Sequence, residues 1–464
     1  MTISRQGAWP PAHALLLRRL ERRRRRRSPV VGSRVAVPPS RRDVLRVTAA
    51  AIASAPIGCA PRDRGTRERG RVVVTFWYAF GDLNRKILLE RVAAFNACQS
   101  RIEVKPVHQG DYFEALAKLR TAIAADRAPT LSHVVLEVLP YLARAGVLEP
   151  LDRYDGAGSI PFIPALTQAG SFAVDPRDSV FGIPFNRSTP IVFANRHALD
   201  RGAVALPSNW EELVDVARRL MRRAANGETR WGFEVPISWW YWVAMVGQAG
   251  GRLVDDSGRV TLGGDAGERA IRFWQRLVHE EHVMRPPAGR DYQAWQSTNE
   301  NFLRGGVAMI WSSTAFVRYL EDNAPFPVVA GPLPRGPVRP SVPTGGTMFV
   351  ILRAAPAEEK RAAWEFLRWM CDADQVIAWS TRTGYMPVTR AAVERLNAQG
   401  FYERHPNDRV AYEQLADVDP WPWEPELFRI ERDAVEPRLE AAVFAGRDAH
   451  EVMQEAREDA RRPG

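Results

Sequence analysis

The sequence predicts an α/β protein built as two lobes. Three observations carry this: 464 residues exceed one ordinary core, the 45% apolar and 25% charged content is that of a globular chain, and from Val72 onward short β-branched runs alternate with amphipathic stretches. Val72 to Trp77 reads as a buried strand, Leu83 to Asn96 as a helix, and Ile102 to Val107 as a second strand. This β-α-β opening is the start of a parallel sheet. Asp111 to Ala125 follows as a helix and Leu131 to Val138 as a further strand.

After Ile183 to Asn186, the run Pro190 to Asn195 is a strand that marks the first passage to another lobe. Trp210 to Ala225 and Gly264 to Val283 are amphipathic helices, and Asn301 to Gly306 leads into a strand over Val307 to Trp311. Pro325 to Gly346, with seven prolines, reads as a connector. Met348 to Leu352 is then a strand and Ala357 to Cys371 a helix. No internal repeat is present.

The net charge of +10 is a property of the leader alone. Residues 1–58 hold thirteen arginines against Glu21 and Asp43, which is +11, so the rest of the chain stands at −1. A near-neutral body offers no footprint for a polyanion, and nucleic acid is excluded as a partner. Within the leader, Ser40-Arg41-Arg42-Asp43-Val44-Leu45 is similar to a twin-arginine export signal, and the apolar run to Ile57 is too short for a permanent span. Gly58-Cys59 ends it like a lipoprotein processing site, with Pro56 where Leu is usual. This implies export in the folded state, lipidation at Cys59 and a linker over 59–71. Residues 1–34 read as a basic extension ahead of a complete signal. Cys98 and Cys371 fall on apolar helical stretches, as buried thiols do, and no spacing rule pairs them.

A family resemblance emerges at Gly182 to Pro190 and continues at Gly110-Asp111-Tyr112, Thr344-Gly345-Gly346, Thr383-Gly384-Tyr385-Met386-Pro387 and Gly400-Phe401-Tyr402-Glu403. In this order the motifs resemble the solute-binding proteins of carbohydrate ABC importers, and more narrowly their sn-glycerol-3-phosphate and glycerophosphodiester branch. The resemblance implies a class II periplasmic-binding-protein fold, hinged, with lobes at 72–186 plus 338–386 and at 187–337 plus 387–464. It further implies an exported monomer, anchored to the outer face of the cytoplasmic membrane or periplasmic, a permease partner, and no cofactor, metal or catalytic residue.

Carried over singly, the family's ligand contacts fall on Tyr112, Glu137, Ser188, Ser313, Gly346, Tyr385 and Arg429, with Trp239 or Trp240 as the aromatic contact. Glu137 can accept from hydroxyls, the serines can donate to oxygens, and Gly346 lets backbone N–H groups approach. Arg429 has the planar fork that suits a phosphate; a surface pair with Glu426 or Asp433 is its other use. Tyr112 and Tyr385 equally suit half-buried core positions, and the aromatic cluster over Ser238 to Trp242 suits either stacking on a sugar or a core. A neutral-sugar receptor in the same fold, and an extracytoplasmic hydrolase of glycerophosphodiesters, are the competing functions. Against the latter, the sequence holds no Gly-x-Ser-x-Gly and no His-Glu-x-x-His.

Overall fold

The computed structural model describes residues 65–167, 179–223, 227–287, 289 and 291–462. The leader, Cys59 and the linker up to residue 64 lie outside the described residues.

Strand β1 (Arg71–Tyr78) takes its β-branched residues to the middle of the first sheet, where Val74 and Phe76 are fully buried. Helix α1 (Asp82–Cys98) covers it with Ile87, Leu88, Val92 and Phe95, and β2 (Ile102–His108) runs parallel to β1 from Val72 opposite Ile102 to Tyr78 opposite His108. Helix α2 (Tyr112–Ala124) starts at Asp111, whose carboxylate accepts the Phe113 and Glu114 N–H groups. The strand expected to reach Val138 stops early. β3 (Leu131–Val135) gives way to a tight turn at Leu136–Val138, because Pro140 opens the next helix, and the turn directs Glu137 toward the lobe boundary.

Between β4 (Ile183–Ser188) and β5 (Pro190–Asn195) the single residue Thr189 changes sheets. The second lobe then adds α3 (Trp210–Leu220), β6 (Thr229–Glu234), α4 (Trp239–Gln248), α5 (Asp265–Gln275), α6 (Asp291–Leu303) and β7 (Val307–Ser313). α3 ends five residues sooner than expected, at Met221, whose backbone leaves the helical region. The proline-rich stretch is more than a connector. It contains β8 (Val328–Pro332), antiparallel to β5 at the sheet edge, where an absent proline N–H leaves no ladder bond unmade.

The chain returns to the first sheet at β9 (Gly345–Ile351), antiparallel to both β3 and β4, followed by α7 (Ala357–Met370), α8 (Ala373–Thr383) and α9 (Arg390–Ala398). It ends with α10 (Pro406–Glu413), the short α11 (Leu427–Arg429) and α12 (Ala449–Ala460). Two expected boundaries move. Val338 and Arg339 bond to the Gln248 carbonyl of the second lobe, so the return falls at Thr344 rather than 338. Ala392 and Val393 of α9 are buried in the first-lobe core, so the last departure follows α9 rather than Met386. Cys371 is buried as expected, but Cys98 is exposed at the end of α1; both are free thiols.

The crossings are pinned to one another. Gln414 donates to Thr189 Oγ1 and to the Pro190 carbonyl, both at 2.7 Å, and the Met386 N–H reaches the Arg187 carbonyl at 2.8 Å. Trp421 Nε1 donates to the Thr344 carbonyl at 2.8 Å. At the centre, Gly346 sits at φ +94°, and a Cβ there would lie 1.7 Å from the Asn186 carbonyl oxygen. Gly346→Ala is therefore expected to lose roughly 2–4 kcal/mol of stability; an unfolding midpoint unchanged in a denaturant titration would contradict this packing.

Candidate ligand-binding site

The two lobes face each other across a cavity of about 400 Å³. The first lobe contributes Tyr112 from α2, Glu137 from the turn after β3, and Tyr385 after α8; the crossings contribute Ser188, Gly345 and Gly346; the second lobe contributes Trp239 and Trp240 from α4 and Ser313 from β7. Eight of the nine residues expected at the site thus line one cavity. Both tryptophans belong to it. Trp239 is 1% exposed and stacks at 6.4 Å on Trp421, whereas the Trp240 ring lies over Gly345, so close that a Cβ there would come within 2.7 Å of it. Gly346 is required by the Asn186 carbonyl, a constraint different from open approach of a ligand to the backbone.

Arg429 is the correction. It does not line the cavity: its Nε binds Glu426 at 3.0 Å and its Nη2 reaches the carbonyls of Ala460 and Arg462 at 3.4 and 2.9 Å, at the end of α12. A guanidinium at a helix C-terminus is favoured by the unpaired carbonyls there, and Glu426 lies three residues away on the same face. Glu426 also pairs with Arg144 of the first lobe, and Phe428 stacks on Phe113 at 6.3 Å beneath the Arg432 guanidinium. This segment bridges the lobes at the mouth of the cleft.

Sequence reasoning passed over Trp295, Phe316, Glu431 and Glu436, which also line the cavity. Trp295 stacks on Tyr241 at 4.9 Å and meets Trp240 at 5.4 Å, forming an aromatic wall that continues to Phe316. Its isolated position in α6 gave no sign of this wall. Ser238 Oγ and the Nε1 groups of Trp239 and Trp240 have no protein partner and are themselves shielded from solvent.

The cavity chemistry matches a receptor. The chain matches the family of bacterial extracellular solute-binding proteins over residues 90–407. It belongs to that family. Among curated relatives, the sn-glycerol-3-phosphate-binding periplasmic protein UgpB of Yersinia pseudotuberculosis is 23% identical over 367 residues, covering 75% of this chain and 82% of the relative. UgpB of Escherichia coli is likewise 23% identical, over 371 residues, with coverage of 75% and 82%. Among solved structures, UgpB from Mycobacterium tuberculosis in complex with glycerophosphocholine has a TM-score of 0.73 at 22% identity, covering 84% of this chain and 98% of that one. Maltose-bound MalE3 of T. maritima has 0.74 at 19%, with coverage of 84% and 98%. The fold is therefore the hinged two-domain class II architecture, and the protein is an exported solute-binding component of an ABC importer.

In this solute-binding protein the cavity lining includes Asp111, Glu137, Glu431 and Glu436 and, among the described residues, no lysine or arginine, with Glu436 paired at 2.7 Å to Arg432 outside it. Burial raises the Glu137 carboxyl to about 7, against the opposing pull of its own backbone N–H and of Arg187. Burial raises Glu234, beneath the second-lobe wall and held by Asn301 at 3.0 Å, to about 7 as well. A raised acid pKa favours the folded state while the group is protonated. That contribution is complete below about 4.5 and is lost as pH rises through about 7. Glu137→Gln and Glu234→Gln should each flatten the fall in stability between pH 5 and 8, as chemical denaturation across that range would reveal; an unaltered pH slope in both variants would refute the assignment.

Proposed function

We propose that the protein captures a glycerophosphodiester carrying a cationic head group, of the glycerophosphocholine type, and delivers it to a membrane permease without altering it. The observation that carries the reading is the lining itself: aromatic faces, carboxyl groups and serine hydroxyls, and among the described residues no lysine or arginine. A zwitterion suits such a wall. Its quaternary ammonium is attracted to tryptophan faces, while its phosphoryl oxygens can take hydrogen bonds from Ser188 and Ser313. Glycerol 3-phosphate, a net dianion, would meet like charge and no arginine fork. The glycerophosphocholine bound by the M. tuberculosis neighbour agrees with this choice.

A neutral oligosaccharide is the second reading, favoured by the Trp240–Trp295 wall, which can stack on a sugar face, and by the maltose in the T. maritima neighbour. Calorimetry with glycerophosphocholine, glycerol 3-phosphate and maltose separates the three. Glycerophosphocholine is expected to bind at least about tenfold more tightly than glycerol 3-phosphate, and Trp240→Ala to weaken it by about tenfold, from the loss of ~1–2 kcal/mol of cation–π attraction. Arg429→Ala should leave affinity unchanged. Preference for maltose would install the oligosaccharide reading, and preference for glycerol 3-phosphate would refute both.

The address is part of the proposal. The paired Arg41-Arg42, the apolar run and Gly58-Cys59 occur in the order that a lipid-anchored export product requires. Cys59→Ala should move the protein from the membrane to the soluble fraction, and membrane retention of that variant would exclude the anchor.

A further inference from the structure

A buried line of polar groups runs from the middle of the first sheet to the tyrosines of the cleft. The Ala79 N–H donates to His133 Nε2 at 2.8 Å, and His133 Nδ1 lies 2.8 Å from Thr347 Oγ1. Thr347 Oγ1 in turn contacts Asn186 Oδ1, which also accepts the Thr347 backbone N–H at 3.0 Å. On its other side, Asn186 Nδ2 donates to Tyr112 Oη at 3.1 Å, and Tyr112 Oη lies 3.4 Å from Tyr385 Oη. Asn186 and Thr347 are completely buried and His133 is 3% exposed.

Two backbone N–H groups give this line a single direction. The Ala79 amide can only donate, so His133 Nε2 must accept and the imidazole must be neutral with its proton on Nδ1. That proton faces Thr347 Oγ1, whose own proton passes to Asn186 Oδ1. The Thr347 amide, also an obligate donor, holds the same oxygen and thereby settles which way the Asn186 side chain is turned: oxygen inward, NH2 toward the tyrosines. Burial among the rings of Phe76, Phe80, Tyr112 and Phe185 pushes the His133 pKa down to about 3, in keeping with a neutral ring.

We propose that His133, Thr347 and Asn186 are positioning residues that make the hydroxyl pair of Tyr112 and Tyr385 accept on its inner side, so that, with one proton shared between the two hydroxyls, the other is directed toward the cleft and the first-lobe wall selects an acceptor atom of the solute. A hydroxyl facing an amide NH2 has to accept there, and its proton is then directed elsewhere. Phosphoryl, ether or hydroxyl oxygens match that polarity. A group that can only donate does not.

The direction of the line is tested on the full chain without ligand, by 15N NMR of the histidine rings, with the His133 signals assigned through their loss in His133→Gln. The Nδ1–H tautomer, untitrated from pH 5 to 8, is expected; an Nε2–H tautomer or titration in that range would overturn the proposal. Its consequence for binding is tested with Asn186→Asp, which presents an acceptor to the tyrosines when ionised and a donor when protonated. The groups facing that position are Thr347, Tyr112 and Tyr385, with Arg187 next in the chain and Glu137 acting on Arg187. Affinity for glycerophosphocholine, or for maltose if the unaltered protein prefers it, should fall about tenfold at pH 8 and recover toward pH 5, whereas Thr347→Ser should bind normally. An equal loss at both pH values, or none, would overturn it. Should the unaltered protein bind neither probe, the solute reading fails and the ring tautomer still decides the relay.

Discussion

The close approach of Asn186 to Gly346 is the contact on which the rest of this receptor depends. With no Cβ on Gly346, β9 comes against the Asn186 carbonyl, and the pairing register shifts between Gly346 and Met348 to accommodate it. From that point each neighbour has a separate task. Ser188 and Gly345 face the cleft, Thr189 and Thr344 lead into the second lobe, and the Asn186 side chain meets the cleft tyrosines. Hinge, cavity floor and polar interior therefore share one small volume, and a disturbance there cannot remain local.

The two halves of the cavity differ in character because they rest on different supports. On the first lobe, hydroxyls project from a rigid polar line buried in a sheet, which restricts the direction of each hydrogen bond. On the second, tryptophans from α4 and α6 lie against one another and present broad faces with few directional demands. A sheet wall that orients a solute and a helix wall that contacts it through area suit a solute enclosed between two lobes. Between them stand the carboxyl groups of Asp111, Glu137, Glu431 and Glu436, the last of them paired with Arg432.

Arg429 shows how far residue type can be trusted apart from direction. Its position in the motif and its guanidinium suited a phosphate, and its helical spacing from Glu426 suited a surface pair. Both uses were legible, and nothing in the local sequence could choose between them. The choice came from α12, whose terminal carbonyls lie beside Arg429, and from Arg144, which holds Glu426 at the lobe boundary. Trp295 is the converse case. The residues around it marked neither its helix nor the tryptophan that α4 of the same lobe brings against it, so an essential part of the wall stayed invisible.

By itself the sequence determined what depends on short-range chemistry: the β-branched runs that form the buried strands and the helices between them, while the family resemblance named Tyr112, Glu137, Ser188 and Tyr385 as residues that would meet at one site. The strands and helices follow from propensities and turn requirements that act over a few residues. The tertiary structure alone decided where β3 yields to the turn carrying Glu137, that a proline-rich stretch pairs as an edge strand, that α9 stays with the first lobe, and that the arginine fork lies outside the cleft. Each of those outcomes turns on groups distant in the chain competing for the same backbone edge, apolar surface or charge, a competition that no local window of residues contains.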